Sequence, residues 1–481
     1  NVGGMIGNNS CGAHSVIYGK TIDHVIELNV VLSDGTQTVF HPVHDGEYAD
    51  KVKADGIEGK IYQEVRRIAD ENREEIEQRF PKILRRVGGY NLDEFVNEGP
   101  FDLCKMAVGS EGTLVGVTEA KVNLVPLPEM TGLDVIHFTD LIEAMEATIE
   151  ILKTEPAAIE LVDKAILDLA KESIEASRQR VFIQGDPEAI LVVEYYGAST
   201  KDLAEKMDKL DALMKERNFG YANVRAISES EQANVWGVRK NGLGLLMGMK
   251  GDTKPATFVE DTAVSPEHLP EYIRRFRQIV ADHGTTATYY AHASVGTLHI
   301  RPLINLKSSD DIDSMRGIAE GIRDLVLEYG GAMSAEHGDG LVRSEWNEKM
   351  FGSQLYQAFK EIKSVFDPNG IMNPGKIIAN QKMTDNLRFG PAYRTDEINT
   401  YFDFSNDGGF ARSVELCNGV GACRKKLVGT MCPSYIATLD EEHSTRGRAN
   451  MLRAAFSGKL DEEGITSPRL YETLDLCLEC K

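Results

Sequence analysis

The chain opens with residues 1–25, NVGGMIGNNSCGAHSVIYGKTIDHV, in which glycines and asparagines crowd together ahead of an apolar run. Glycine tolerates positive φ and lets backbone N–H groups approach an anion closely, so such a loop can cradle a phosphate-bearing cofactor. The loop lacks the Gly-x-x-x-x-Gly-Lys pattern of nucleoside-triphosphate sites, and no strand–Gly-x-Gly-x-x-Gly–helix unit surrounds it. On these residues alone, a cofactor loop and a purely structural turn both remain open.

The two termini share a feature. The first residue is Asn1, not a methionine, and it leads directly into the glycine-rich loop. The last residues, CLECK at 477–481, stop one position after a Cys-x-x-Cys pair. We therefore expect a sequence truncated at both ends, with a loop cut short at the start and a cysteine motif cut short at the finish.

Length and charge narrow the class of protein. The chain has 481 residues, which predicts two to four domains, and 42% hydrophobic residues, which suffice for globular cores. The net charge of −22 argues against a nucleic-acid partner and against binding to an anionic membrane surface, because both require basic patches. No apolar run reaches the roughly 20 residues of a membrane span. We predict a cytoplasmic protein, with peripheral attachment to the inner membrane and a homo-oligomer as further options.

Apolar periodicity predicts the elements of the first part of the chain. Residues 22–40 alternate around a Ser-Asp-Gly turn and predict a β-hairpin. Residues 57–80 have helical periodicity and many charges, which predicts a surface helix. Residues 105–125 alternate again and predict strands around a glycine turn, before two prolines mark a domain boundary.

The middle of the chain, from about residue 130 to 380, alternates strand-like and helical runs and is typical of an α+β domain. The predicted strands are 133–138, 157–162, 189–197 and 256–264, and the predicted helices are 140–153, 200–217, 266–283 and 309–328. Weak periodicity then predicts a linker before a cysteine-rich tail. The predicted domains are 1–127, 128–380 and 411–481, with the linker at 381–410.

A second glycine-rich stretch, GSEGTL at 109–114, makes the first one more specific. Together they resemble the second half of the flavin domain in the vanillyl-alcohol-oxidase-type flavoproteins, the FAD-linked oxidase family. The shared pattern is a Gly-Gly loop, Tyr-Gly, Asp-x-Val, and then Gly-Ser-Glu-Gly followed by Thr118-Glu119-Ala120. The resemblance implies FAD and the cofactor-binding residues Gly3, Gly4, Asn8, Gly12, Tyr18, Gly19, Asp23, Val25, Glu111, Gly112 and Val117.

Two histidine-containing stretches offer metal ligands. HASVGTLH at 292–299 places two histidines seven positions apart, either on one side of a helix or flanking a loop, and SAEHGDG at 334–340 adds adjacent Glu336 and His337. Imidazole nitrogens and carboxylate oxygens suit a borderline metal such as zinc. From the residues alone, a metal site and ordinary core or surface histidines are both open.

The resemblance assigns roles to these residues. In the 2-hydroxyacid dehydrogenases of the flavin family, corresponding segments lie over the flavin ring. By position, His292, His299 and Glu336 are the metal ligands, and His337 is the catalytic base. A divalent metal there holds the substrate's hydroxyl and carboxylate and lowers the pKa of the hydroxyl, His337 takes its proton, and hydride passes to the flavin. Thr297 stands where relatives often have Asn, at a substrate contact.

Fixed cations are needed to bind a substrate carboxylate. Arg239, in a Trp-x-x-Arg pattern that recurs around the substrate in relatives, ranks first, and Lys254, Arg301 and Arg343 are further candidates. For each of them a surface ion pair is the alternative interpretation. A second cation would favour a dicarboxylate such as 2-hydroxyglutarate over lactate. The resemblance also implies that Asn373 and Lys376, in MNPGKI at 372–377, lie near the flavin.

Five cysteines crowd the end of the chain, whereas Cys11 and Cys104 are isolated. A disulfide framework is more typical of a small secreted domain, so the crowding indicates metal ligands. Against the iron–sulfur pattern C-x2-C-x2-C-x3-C-P, the first motif has Val420 in place of its second cysteine and eight residues before Cys-Pro. The predicted iron–sulfur ligands are Cys417, Cys423, Cys432, Cys477 and Cys480, and a zinc site formed by the last four is the alternative.

The two cysteine motifs resemble the paired-cluster domains of succinate-dehydrogenase-type iron–sulfur subunits. The missing cysteine implies one three-iron cluster beside a 4Fe-4S cluster. The order of parts over nearly the whole chain is similar to the fused FAD/iron–sulfur D-2-hydroxyacid dehydrogenases of bacteria. This resemblance implies oxidation of a D-2-hydroxyacid, with D-2-hydroxyglutarate ahead of D-lactate and glycolate, and electron transfer to a quinone or other carrier. An oxidase that uses O₂ and a non-catalytic electron-transfer subunit are the alternatives.

Overall fold

A computed structural model describes residues 1–427 and 431–480. Residues 428–430, between Cys423 and Cys432, and Lys481 lie outside the described ranges. The chain divides into two compact units. The first comprises residues 1–239, 257–302 and 314–386, and the second comprises residues 240–256, 303–313 and 387–481. The predicted domain boundaries remain a prediction.

The strands are, in chain order, β1 (Val25–Val31), β2 (Gln37–Phe40), β3 (Pro42–Val43), β4 (Phe101–Asp102), β5 (Gly116–Val122), β6 (Met130–Phe138), β7 (Ala158–Asp163), β8 (Ala189–Gly197), β9 (Ala222–Ala226), β10 (Lys254–Pro255), β11 (Thr262–Ala263), β12 (Ala287–His292) and β13 (Thr297–Ile304). The α-helices are α1 (Val2–Asn8), α2 (Ser15–Tyr18), α3 (Asp45–Val52), α4 (Ile57–Glu71), α5 (Arg73–Arg79), α6 (Leu103–Ala107), α7 (Leu141–Leu152), α8 (Lys164–Glu172), α9 (Ile174–Gln179), α10 (Thr200–Arg217), α11 (Glu229–Met247), α12 (Leu269–Asp282), α13 (Ser309–Glu328), α14 (Asn347–Phe366, kinked at Gly352), α15 (Phe410–Glu415), α16 (Pro433–Thr438), α17 (Thr445–Phe456) and α18 (Pro468–Asp475).

The first unit contains three antiparallel sheets, and the shortest is the pair β3–β4. A small sheet has the order β2-β1-β5, and the predicted hairpin at 22–40 is its β1–β2 pair. The large sheet runs β13-β12-β7-β8-β6-β9, with β11 also paired to β13. Sheets combined with helices in this way confirm the predicted α+β class. No helix within residues 1–427 and 431–480 is both long and apolar enough to cross a bilayer.

The large sheet has two different faces, because successive side chains of a strand point to opposite sides. Helix α10 packs on one face, where Leu203 lies against Gly132 of β6 and Gly197 of β8. The register places Glu160 of β7 beside His292 of β12, on the opposite face from those glycines. Helix α10 therefore covers one face, and the other face, which we call the charged face, carries Glu160 and His292.

Several local predictions differ from the structure for identifiable reasons. The stretch 105–125 begins as helix rather than strand, since the Asp102 carboxylate accepts a hydrogen bond from Cys104 N and caps α6. The predicted surface helix 57–80 divides into α4 and α5 at Asn72, and α4 buries one face that includes Ile61 and Val65. The stretch 256–264 is mostly not a strand, because Asp261 adopts a left-handed φ of 80° that interrupts the extended backbone.

The second unit holds the cysteine-rich tail. Helices α15, α17 and α18 pack around a small core of Ala455, Phe456 and Leu470. Lys307 bridges two carboxylates there, Asp252 at 2.9 Å and Glu415 at 2.7 Å. The region predicted as a linker therefore ends in the helix α15 of a packed unit.

Gly296 controls the turn between β12 and β13, and its replacement tests the fold. Its φ is 69°, and a Cβ atom there would lie 1.8 Å from Val264 O. Gly35, in the first hairpin, has a φ of 89° with no heavy atom within 4 Å of such a Cβ. We expect Gly296→Ala to lower the free energy of unfolding by at least about 2 kcal/mol more than Gly35→Ala, which has only the backbone strain. Denaturant unfolding of both variants measures this, and equal losses would contradict it.

Candidate functional site

Three histidines and one glutamate converge on the charged face of the large sheet. The Nε2 atoms of His292, His299 and His337 lie 3.3, 3.0 and 3.3 Å from the same oxygen, Oε1 of Glu336. His299 and Glu336 are buried, whereas His337 retains 38% of its side-chain exposure. All four residues were predicted from the sequence to share a site, and the structure brings them together.

The sheet register fixes the first two histidines. His292 ends β12 and pairs with Thr297 at the start of β13, so the two histidines flank a tight turn rather than lie on a helix. A single turn of 3-10 helix at Ala293–Val295 and the left-handed Gly296 reverse the chain between them. His299 lies two positions further along β13 and therefore faces the same side as Thr297.

Asp261 holds the second histidine segment in place. Its fully buried carboxylate accepts hydrogen bonds from Ser334 Oγ at 2.8 Å and from three successive backbone N–H groups. These groups belong to Ala335 at 3.1 Å, Glu336 at 3.0 Å and His337 at 2.8 Å. The carboxylate thereby orients the loop that carries Glu336 and His337, and sequence analysis did not single it out.

Arg85 is a second contributor that the sequence analysis missed. Its fully buried guanidinium places Nη2 2.5 Å from Glu336 Oε2. Nη1 donates to Gly12 O at 3.0 Å and to Ser15 Oγ at 2.5 Å, in the glycine-rich start of the chain. Arg85 therefore ties the predicted cofactor loop to the histidine site. Its only signal in the sequence was the Arg-Arg pair within an apolar stretch.

Two further carboxylates stand behind the histidines. Glu160 Oε1 lies 2.6 Å from His292 Nδ1, and Glu260 Oε1 lies 3.1 Å from His337 Nδ1. A ligating histidine usually donates its other ring N–H to such a carboxylate. The Nε2 atoms of both rings are then left to face Glu336.

Two of the predicted substrate-binding arginines of the first unit form ion pairs with these carboxylates. Arg239 donates from Nη2 to Glu160 Oε2 at 2.8 Å, and Arg301 donates from Nη2 to Glu260 Oε2 at 2.6 Å. The Nε of Arg343 donates to Gly338 O at 3.0 Å. The Oγ1 of Thr297 is buried without a hydrogen-bond partner among the described residues. Their role toward a substrate remains a prediction.

Lys254 belongs to the second unit, where its ammonium donates to Met249 O. Burial lowers the pKa of Lys254 from its usual value. Its predicted contact with a substrate carboxylate also remains a prediction.

The electrostatics of the site favour a bound cation. Burial opposes ionisation of Glu336, but hydrogen bonds from the three imidazoles prevail and hold its pKa far below the usual range. Burial also opposes charge on the histidines, yet Glu160 and Glu336 raise the pKa of His292 to about 9, and Glu260 and Glu336 raise the pKa of His337 to about 10. Burial lowers the pKa of His299. Protons therefore balance the buried carboxylates in the metal-free protein, and a divalent cation would displace them.

The donor set fits a metal such as zinc. Ligand atoms of Asp261, His299, Glu336 and His337 lie within 4.8 Å of one another. Asp261 already accepts several backbone hydrogen bonds, so the imidazoles and Glu336 are the better donors. Two nitrogens and one oxygen with an open fourth position are typical of catalytic zinc. His292, His299 and Glu336 remain the predicted ligands.

Four glycine-rich segments meet next to this site. Gly109 N donates to Ile6 O at 2.9 Å, and Glu111 N donates to Gly7 O at 2.8 Å. The Glu111 carboxylate accepts from Asp339 N at 2.6 Å and from Gly340 N at 3.0 Å. The MNPG segment joins through its asparagine, whose Nδ2 atom lies 2.6 Å from Glu111 O. Burial raises the pKa of Glu111 to about 7.

The residues predicted to bind the cofactor divide into two groups. Gly3 and Gly4 lie in the helix α1 rather than in the predicted loop, and a Cβ atom at either of them or at Gly12 would meet no heavy atom within 4 Å outside that helix. The Nδ2 of Asn8 donates to Glu336 O at 2.5 Å and joins this loop to the histidines. The remaining residues have structural positions. Gly19 and Gly112 have left-handed φ values of 71° and 69°, and Asp23 accepts a hydrogen bond from Lys20 N. Val25 begins β1, Val117 lies in β5, and the ring of Tyr18 lies 6.4 Å from that of Tyr196.

The cysteines of the second unit do not form a compact single-ion site. Within residues 1–427 and 431–480, no group of metal-ligating atoms within 4.8 Å of one another includes a cysteine. Cys423 and Cys432 are buried, Cys417 is half-buried, and Cys477 and Cys480 are exposed. Burial opposes ionisation of Cys432, but hydrogen bonds from Tyr435 N and Arg448 lower its pKa. Their role as iron–sulfur ligands remains a prediction.

Comparison with known proteins identifies related sequences. A sequence model described as "FAD linked oxidases, C-terminal domain" matches residues 127–377, and one described as "FAD binding domain" matches residues 1–40. A D-2-hydroxyglutarate dehydrogenase from Pseudomonas putida is 33% identical over 467 residues, which cover 94% of this chain and 46% of the relative. A D-lactate dehydrogenase from Archaeoglobus fulgidus is 27% identical over 380 residues, which cover 78% of this chain and 69% of the relative.

Solved structures agree on the fold. The crystal structure of p-cresol methylhydroxylase with substrate bound matches with a TM-score of 0.50 at 11% identity, over 77% of this chain and 68% of that chain. At this identity the likeness shows the fold alone. The chain spans about half the length of the D-2-hydroxyglutarate dehydrogenases that it matches.

The metal site leads to a direct prediction. We expect His299→Ala to weaken zinc binding more than about 100-fold, because even outer partners of a ligand contribute about 10–100-fold. Chelator competition on the whole protein measures the affinity. His44→Ala, at an exposed histidine just before α3, is the matched control and should bind zinc as the unaltered protein does. Equal zinc affinity in both variants would contradict the assignment.

Proposed function

Because the chain belongs to the FAD-linked oxidase family, we propose that it oxidises a D-2-hydroxyacid to the corresponding 2-oxoacid. The observation that carries this proposal is the convergence of three imidazole Nε2 atoms on one oxygen of Glu336. The site combines a set of metal donors with one histidine that is partly exposed to an incoming molecule. These are the parts that removal of a hydroxyl proton and of the adjacent hydrogen requires.

We assign the residues as follows. His292, His299 and Glu336 hold a divalent metal, and a bound metal would supply a positive charge for the substrate's hydroxyl and carboxylate oxygens. His337 accepts the hydroxyl proton at Nε2, since Glu260 occupies its Nδ1. FAD, when bound by the glycine-rich loops, would supply the acceptor for the hydride. Arg85 and Asn8 hold the glycine loop against the Glu336 segment and so orient one site toward the other.

The relatives favour D-2-hydroxyglutarate as the substrate. The D-2-hydroxyglutarate dehydrogenases of Pseudomonas putida and of Escherichia coli are 33% and 30% identical to this chain over 94% of its length. D-lactate is the second candidate, on the 27% identity to the Archaeoglobus enzyme.

The flavin reports the reaction directly. We expect D-2-hydroxyglutarate, added without oxygen to the flavin-loaded protein, to bleach the flavin absorbance rapidly, whereas the L-enantiomer does not. His337→Gln should slow this reduction by about 10²–10⁴-fold, the usual contribution of a general base, and should leave flavin content unchanged. Bleaching by D-lactate alone would favour the second candidate. Equal bleaching by both enantiomers, or by no 2-hydroxyacid, would contradict the proposed function.

The cysteine tail is assigned to electron transfer. We propose that Cys417, Cys423, Cys432, Cys477 and Cys480 contribute iron–sulfur ligands and that electrons pass on to a quinone or another carrier. Two buried thiols and an arginine that donates to Cys432 Sγ at 3.5 Å support this assignment, since a nearby cation favours the thiolate. An oxidase that uses O₂ would not require the tail.

Metal analysis distinguishes the two interpretations of the tail. We expect the protein purified without oxygen to contain iron and acid-labile sulfide, and Cys432→Ser to lose iron while retaining flavin, because the two sites use different residues. If the protein instead contains no iron, and contains one zinc ion per chain beyond any zinc at the histidine site, the result would support the zinc alternative.

A further inference from the structure

Two chains of side chains lead from the sheet to the histidine site. The first chain is Arg239–Glu160–His292, with 2.8 Å from Arg239 Nη2 to Glu160 Oε2 and 2.6 Å from Glu160 Oε1 to His292 Nδ1. The second chain is Arg301–Glu260–His337, with 2.6 Å from Arg301 Nη2 to Glu260 Oε2 and 3.1 Å from Glu260 Oε1 to His337 Nδ1. In each chain one carboxylate oxygen faces the arginine and the other faces the histidine.

Tyr290 separates the two chains. The Cζ atoms of Arg239 and Arg301 lie 4.6 and 4.7 Å from the centroid of its ring. Each guanidinium therefore has its own carboxylate and shares only the tyrosine. The Glu260 carboxylate is also 3.7 Å from His299 Nδ1, which exceeds a hydrogen bond, and that nitrogen is buried without a partner among the described residues.

The buried ion pairs do not by themselves explain the arrangement. Glu160 and Glu260 retain 2% and 7% of their side-chain exposure, and a buried ion pair is often no more stabilising than apolar residues of the same volume. A carboxylate that accepts the Nδ1–H of a histidine does have a specific effect. It selects one tautomer, fixes the ring plane and turns the Nε2 lone pair away from itself.

We propose that the two carboxylates are positioning residues with separate tasks: Glu160 sets metal affinity through His292, and Glu260 sets the rate of proton removal through His337. The division rests on the proposed function, which makes His292 a ligand and His337 the base. It also follows from exposure, since His292 retains 13% of its side-chain exposure and His337 retains 38%. The arginines hold the carboxylates in line and need not touch the substrate to do so.

The matched variants Glu160→Gln and Glu260→Gln test this division in the flavin-loaded protein. An amide keeps the volume but loses the charge and one acceptor. Zinc affinity is measured by chelator competition, and flavin reduction by the 2-hydroxyacid is followed at saturating zinc. We expect Glu160→Gln to lower the affinity for zinc about 10–100-fold. The rate of flavin reduction in this variant should stay within about threefold of the normal rate. We expect Glu260→Gln to bind zinc normally and to slow reduction by at least about 100-fold with little change in KM.

A control separates these effects from the loss of any buried charge. Asp134 is a fully buried carboxylate on the opposite face of the same sheet, where Asn223 donates to it at 3.0 Å. Asp134→Asn should leave both zinc affinity and the reduction rate unchanged. A return of the rate in Glu260→Asp, which restores the charge, would support a positioning role over a packing role.

The outcomes that overturn the proposal are distinct from failure of the proposed function. If both glutamine variants lower both quantities by the same factor, or if neither variant changes either quantity, the two carboxylates have no separate tasks. If none of the 2-hydroxyacids reduces the flavin of the unaltered protein, the proposed function fails, and the assignment of Glu260 fails with it. The zinc measurement still decides the assignment of Glu160 in that case.

Discussion

Balance of buried charge around Glu336 is the constraint on which the rest of the site depends. An ionised carboxylate inside a protein must be paired and hydrogen-bonded, or its burial costs several kcal/mol. Glu336 meets three imidazoles and the guanidinium of Arg85, and of these groups only the imidazole of His337 comes from its own segment. The strands, the loops and the start of the chain must all be in place before this charge is satisfied. The site and the fold of the first unit are therefore one arrangement.

The outer carboxylates extend the same logic. Asp261 fixes the backbone of the segment that carries Glu336 and His337, whereas Glu160 and Glu260 fix the rings of the histidines. If a metal binds here, as we propose, these contacts would set the directions of its ligands in advance. His337 is the most exposed of the three histidines, with 38% of its side-chain exposure against 13% for His292.

A second junction, at Glu111, connects the histidine site to the predicted flavin loops. Its backbone N–H donates to Gly7 O in helix α1, and its carboxylate accepts from the backbone of the Gly-Asp-Gly segment next to the histidines. Glu111 itself has a left-handed φ of 54°, so the turn is held by these bonds rather than by its own preference. Cofactor and metal chemistry, where both occur, would act within one rigid neighbourhood.

The sequence by itself determined the α+β class and the hairpin at the start, because periodicity is a local signal, and its resemblance to a known family indicated the residues of the histidine site. It could not identify Arg85, Glu160, Glu260 or Asp261, which lie far along the chain from the residues that they contact. It also predicted a strand at 256–264, where the positive φ of Asp261 breaks the extended backbone. Only the tertiary structure decided these points, since strand register and loop closure bring distant charges together and a local pattern does not encode which charges will meet.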